Sequence, residues 1–165
     1  MKVIQGDITQ VQADIIVSAA NGIGYMGGWT GRYYRLKGVA ESIHFVSKGI
    51  VEKEAKIACK KKKWLPRILC GYKAGEVYVT GAGNLSAKWI IHAVTMPYPG
   101  MKTNIVTVKD LLPVILRESK RLGATSIALP LLGTGTGGLA KENVLAIYEK
   151  DLSEDHGLEV IVVSK

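Results

Sequence analysis

The sequence holds little sulfur and few aromatic rings: two cysteines, one phenylalanine and 7% aromatics in 165 residues. Cys59 and Cys70 lack the paired spacing of a metal site or a disulfide framework. Their isolation excludes a small cross-linked secreted scaffold and predicts a reduced, cytoplasmic setting. Long apolar runs are missing too. Stretches such as Trp89-Ile90-Ile91 fall far short of the roughly 20 residues that cross a bilayer, so no membrane partner is expected. The opening MKVIQGDIT has no apolar core of the kind a secretory leader carries.

Glycine and positive charge are abundant. There are 19 glycines, and Lys+Arg 22 against Asp+Glu 14 gives a formal net charge of +8. This balance favours anionic partners, namely nucleic acid, nucleotides or polyphosphates, although a basic surface also serves solubility alone. The densest cluster, Lys60 to Lys63, follows Lys53 and Lys56 and reads as a solvated helix end, where cations complement the dipole. With 47% apolar residues, the chain can cover both faces of a sheet within one domain spanning 1–165.

Periodicity predicts an α/β protein. Val3-Ile4 opens a short strand that ends at Gly6-Asp7. Asp14 to Val17 is a run of β-branched residues without polar alternation, the mark of a strand buried on both faces. From Gly38 to Lys63 apolar residues recur at helical spacing. Strands follow at 76–80 and 89–94, and Pro97-Tyr98-Pro99-Gly100 breaks the chain. A helix over 108–122 closes at Gly123 and places Pro113 in its first turns. Then come a strand at 125–129, a helix at 142–152 and a last strand at 160–163. Strand and helix alternate through the second half, so the sheet is expected to be largely parallel or mixed, with helices on both sides. In such sheets ligands bind beyond the carboxyl ends of the strands.

Two glycine-rich loops belong on that edge. One runs from Asn21 to Gly31; the other is Gly133-Thr134-Gly135-Thr136-Gly137-Gly138. Glycines between a strand and a helix let backbone N–H groups approach an anion with no Cβ in the way. The following helix N-terminus adds a favourable dipole, and Thr134 and Thr136 add hydroxyls. No lysine follows in the Walker arrangement, which argues against ATP hydrolysis of the P-loop kind. A dinucleotide dehydrogenase is disfavoured as well, since Glu159 begins the last strand instead of ending it. Taken alone, Asp7 beside Gly and Thr reads as a turn cap, and Asn21 before Gly as a turn residue. Only their meeting with two glycine loops on one edge points to a ligand.

These residues resemble the macro domain family. Gly6-Asp7-Ile8-Thr9 and Ala13-Asp14-Ile15-Ile16-Val17-Ser18-Ala19-Ala20-Asn21 resemble its opening signature, Gly27-Gly28 its first glycine loop, and Ser126 to Pro130 with the 133–138 loop its second. The resemblance implies a three-layer α/β/α sandwich with a mixed central sheet that binds ADP-ribose, free or attached to a macromolecule. By position, it implies that Asp7 accepts from the adenine amino group and that the Ile8 N–H donates to the ring. Asn21 would hold the distal ribose, and Gly27, Gly28 and residues 133–138 would enclose the diphosphate. No metal and no cofactor are implied. His92, mid-strand among apolar residues, reads as a core histidine.

Departures from the family pattern concern catalysis. Ser18 replaces the first Asn of the signature. Trp29 and Thr30 follow the first glycine pair where hydrolytic members often carry an apolar and then an acidic residue. Gly137 stands where many members have an aromatic, and Trp29 is a candidate to fill that space. The chain ends at its last strand, without the family's closing C-terminal helix. Three uses stay open: removal of ADP-ribose from protein, nucleic acid or a small ester, with Asn21 as the candidate catalytic residue positioning a water; non-catalytic reading of ADP-ribose; and nucleic-acid binding by the basic surface.

Overall fold

The computed structural model describes residues 1–34, 36–61, 64–154 and 156–164. Among the described residues six strands form one sheet: β1 (Lys2–Gln5), β2 (Ile15–Asn21), β3 (Val77–Gly81), β4 (Trp89–Met96), β5 (Ser126–Pro130) and β6 (Glu159–Ser164). Their order is β1-β6-β5-β2-β4-β3. All neighbours are parallel except β3, which runs antiparallel to β4. The sheet is therefore mixed, with helices on both faces, as expected.

Why β2 reads as unbroken apolar sequence is clear from its two faces. Ile15 and Val17 point to one core, shared with Val108, Leu111 and Tyr148. Ile16 and Ala20 point to the other, shared with Ile43, Val51 and Ala55. The first core lies under α5 (Ile105–Arg121) and α6 (Lys141–Asp151). The second lies under α2 (Val39–Val46) and α3 (Ile50–Ala58); the short helix α1 (Gly28–Tyr33) contacts α2, and the short helix α4 (Arg67–Cys70) follows α3 in the chain. No helix among the described residues is long and apolar enough to cross a membrane.

Three sequence expectations change. The single helix over 38–63 is two helices, because Lys48 and Gly49 take left-handed backbone (φ 51° and 87°) and end α2. The helix also stops at Ala58, with Cys59 as its cap. Lys60 and Lys61 therefore lie beyond it, and Lys61 binds Glu76 at 3.0 Å; Lys62 and Lys63 fall outside the described residues. Finally, α5 begins at Ile105, where the Asn104 side chain accepts from Thr107 N at 2.9 Å. Pro113 is thus well inside the helix. It sits on the exposed side, where the carbonyl it leaves unbonded can turn to water. The 3-10 turn Ile8–Gln10, α1 and α4 carry too few residues to show a period.

His92 is a core histidine, fully buried in β4. Its ring stacks on Tyr78 at 4.5 Å. The Thr80 hydroxyl donates to Gly81 O, so Nε2–H of the neutral ring donates to Thr80 Oγ1 at 2.9 Å. Burial pushes its pKa down to about 3. The unfolded chain takes up that proton first, so the contribution is present in full above the ordinary value near 6.5. It is lost as pH falls toward 3, at up to about 1.4 kcal/mol per pH unit. We predict that NMR titration shows the His92 ring unprotonated down to about pH 4.5, well below the ordinary histidine range. A midpoint near 6.5 would contradict it.

Candidate functional site

Strands β5, β2 and β4 are adjacent and parallel, so the loops leaving their carboxyl ends meet. Between them lies a cleft of about 360 Å³. Its walls include Asn21 at the end of β2, Tyr25 beyond it, Pro99 after β4, and Gly133 to Gly137 after β5. The sequence loops converge on one edge, as predicted.

The loop after β5 is held from beneath. The Tyr148 hydroxyl, fully buried on α6, donates to Pro130 O at 2.8 Å and accepts from Leu132 N at 3.1 Å. Gly133 O accepts from Leu139 N, and Gly137 O accepts from Thr103 N. The carbonyls turn inward, whereas the N–H groups of Gly135, Thr136 and Gly137 make no hydrogen bond within the described residues. Successive unspent amides at the wall of a cleft form an anion-binding concavity. Lys102 donates to Thr136 O at 3.2 Å and lies along Gly138. Lys141, the first residue of α6, also lines the cleft. Neither cation was legible in the sequence, since both are distant from the glycine motif or outside it.

The glycines of this loop have different tasks. A Cβ at Gly133 would lie 2.7 Å from Thr103, and one at Gly137 would lie 2.5 Å from Gly133 O. Both are required by close packing. Gly135 has no steric neighbour within 4 Å and no left-handed φ. Its missing side chain keeps only the cleft open. Gly138 caps the loop with φ 80° and lies outside the cleft lining. Thr134 spends its hydroxyl proton on Leu131 O at 2.8 Å, while Thr136 is exposed at the rim.

Asn21 is brought into the cleft. A register shift after Ala20 pairs it with Met96, and such bulges re-aim a side chain at a sheet edge. Its amide also ties down its own loop: Nδ2 donates to Tyr25 O at 2.7 Å, and Oδ1 accepts from Tyr25 N at 3.1 Å. One donor of the two on Nδ2 is thereby committed. Asp7 and Ile8 lie apart, in a shallow dimple of about 10 Å³ that shares Gly38 and Val39 with the cleft. Asp7 Oδ1 caps the following turn, accepting from Thr9 N at 3.0 Å and Thr9 Oγ1 at 2.9 Å.

The first glycine pair is not brought into the cleft. Gly27 and Gly28 take φ of 119° and 60° to start α1. Gly28 N donates to the buried Glu52 carboxylate at 3.2 Å, and Gly28 O accepts from His44 Nε2 at 2.7 Å. Glu52 also pairs with His44 at 3.0 Å and with Lys56. Both polar groups of Gly28 are thus spent on a buried ionic cluster, so its own amide is not available to a phosphate. Trp29 and Thr30 are exposed on α1, away from the lining. Trp29 therefore does not fill the space beside Gly137.

We expect Tyr148→Phe to cost about 1–3 kcal/mol in denaturant unfolding, because it strands a buried N–H and a buried C=O. A stability equal to wild type would show that the hydroxyl does not hold the loop.

Comparison with known proteins agrees with this architecture. The Macro domain family model matches residues 17–148. An uncharacterised protein of Sulfurisphaera tokodaii is 34% identical over 170 residues, spanning 99% of this chain and 82% of that protein. An uncharacterised Aeropyrum pernix protein is 32% identical over 144 residues, 87% of this chain and 66% of its own length. Among solved structures, a variant of the Oceanobacillus iheyensis macrodomain with ADPR superposes with a TM-score of 0.78 at 22% identity, covering 98% of this chain and 82% of that one. The macrodomain of Thermus aquaticus DarG gives 0.76 at 23%, covering 99% and 97%. The chain belongs to the macro domain family.

Proposed function

We propose that the cleft binds ADP-ribose carried by a macromolecule. The observation that carries this reading is the run of three unspent amides at Gly135, Thr136 and Gly137, with Lys102 beside them, which suits a diphosphate. The adenosine end would extend over Gly38 and Val39 toward Asp7 and Ile8, and the distal ribose toward Asn21 and Tyr25. The Oceanobacillus variant with ADPR supports the ligand class through the shared fold.

We further infer slow hydrolysis. A water held between a phosphate oxygen and the Asn21 amide would attack the anomeric carbon of the distal ribose. The bond to the carrier breaks, the leaving atom takes a proton, and free ADP-ribose gains the water oxygen as hydroxyl. Such catalysis rests on positioning, since Thr30 supplies no base and lies outside the cleft. A reader that binds without turnover is favoured by one observation: the Asn21 amide is already engaged with Tyr25.

Gly135→Val tests the binding site. Because a Cβ there meets open space, the variant should melt like wild type yet lose ADP-ribose affinity at least about tenfold in calorimetry. A folded variant that binds normally removes this loop from the site. For catalysis, Asn21→Ala should lower turnover of mono-ADP-ribosylated substrates more than it lowers affinity. Absence of turnover by the wild type makes the protein a reader, and turnover unaffected by the substitution assigns catalysis elsewhere.

A further inference from the structure

Nearly all of the net charge sits in one stretch. Between Glu54 and Glu76 lie seven of the 22 basic residues and none of the 14 acidic ones, which leaves fifteen against fourteen in the rest of the chain. Lys60 and Lys61, which begin its densest run, lie past the end of α3 and outside the cleft lining. Lys56 and Lys61 pair with Glu52 and Glu76, whereas Lys60 and Lys73 are exposed to water.

Bulky apolar side chains stand among these cations. Trp64 is 78% exposed, Leu69 69% and Ile68 55%. Their backbone is fastened to the fold. Cys70 at the end of α4 is buried, with Sγ 3.8 Å from Leu65 O, and just beyond it Tyr72 N donates to Gly22 O at 2.9 Å. The Tyr98 hydroxyl donates to Ile68 O at 2.9 Å. These ties fix α4 with Ile68 and Leu69 facing outward. Tyr98 immediately precedes Pro99 and Gly100, which line the cleft, so the patch lies beside the cleft mouth.

Single exposed apolar residues are ordinary, but a group of bulky ones set among charges of one sign marks a contact surface. The two components together select the partner. Tryptophan and aliphatic side chains settle at the headgroup boundary of a bilayer, while lysines meet anionic headgroups. We propose that this face docks peripherally on an anionic lipid surface, with Trp64, Ile68 and Leu69 among the headgroups and Lys60 and Lys73 against their phosphates. Such a contact needs no spanning helix, so the lack of a long apolar run does not oppose it. A second copy of the chain would set one cationic patch against another. A nucleic acid would meet the cations but gain no stacking from Ile68 and Leu69.

Sedimentation of the full chain with vesicles, of phosphatidylcholine alone or with phosphatidylglycerol added, tests the proposal. The protein should pellet with the mixed vesicles only, and salt should weaken its partition. Trp64→Ala with Leu69→Ala should lower the partition about tenfold or more, and Lys60→Gln with Lys73→Gln about tenfold at low salt. Both variants should melt like wild type and keep their affinity for ADP-ribose in calorimetry, since none of the four side chains lines the cleft. Lys109→Gln with Lys120→Gln, exposed on α5 over the other face of the sheet, should leave the partition nearly unchanged. No pelleting at low salt, equal pelleting with both vesicle types, or an α5 effect as large as that of Lys60 and Lys73 would each overturn the proposal. So would tighter binding to an oligothymidylate than to the mixed vesicles, or self-association in ultracentrifugation that Trp64→Ala with Leu69→Ala abolishes.

Discussion

A buried backbone amide must find a partner, and where the fold leaves one unspent at a surface it becomes a binding group. The site depends on how this constraint is met between β5 and α6. The Tyr148 hydroxyl satisfies the chain on both sides of Leu131, and Thr103 and Leu139 take the inward carbonyls of Gly137 and Gly133. What remains outward is the row of amides from Gly135 to Gly137. Their exposure follows from packing beneath them, which also explains why Gly133 and Gly137 admit no side chain.

The two glycine clusters look alike in sequence and do different physical work. In the first, Gly22 and Gly24 let backbone approach backbone at Tyr72 and Ala55, and Gly28 is fastened to Glu52 and His44. That cluster builds a wall and presents α1 to solvent. The second cluster presents amides. A carboxylate buried under one loop and cations beside the other, Lys102 and Lys141, separate the two roles.

Much of the architecture was legible beforehand, for identifiable reasons. β2 and β4 announce themselves because strands buried on both faces have no polar alternation, and α5 because its apolar stripe is long. The break at Lys48-Gly49 was hidden: apolar residues continue in helical register on both sides of it, and only the left-handed backbone ends α2. The convergence of Asn21 with residues 133–137 followed from strand polarity. What sequence could not show is which amides are already spent. Gly28 N–H goes to Glu52, 24 residues away, and Lys102 reaches the loop across 34 residues.

The central claim is that a diphosphate sits on the amides of Gly135, Thr136 and Gly137. Backbone NMR of the labelled protein titrated with ADP-ribose tests it most directly. The account predicts the largest amide shifts at these three residues, with Gly28 little changed because its N–H stays on Glu52. Large shifts at Gly27 and Gly28 with residues 135–137 unmoved would contradict it.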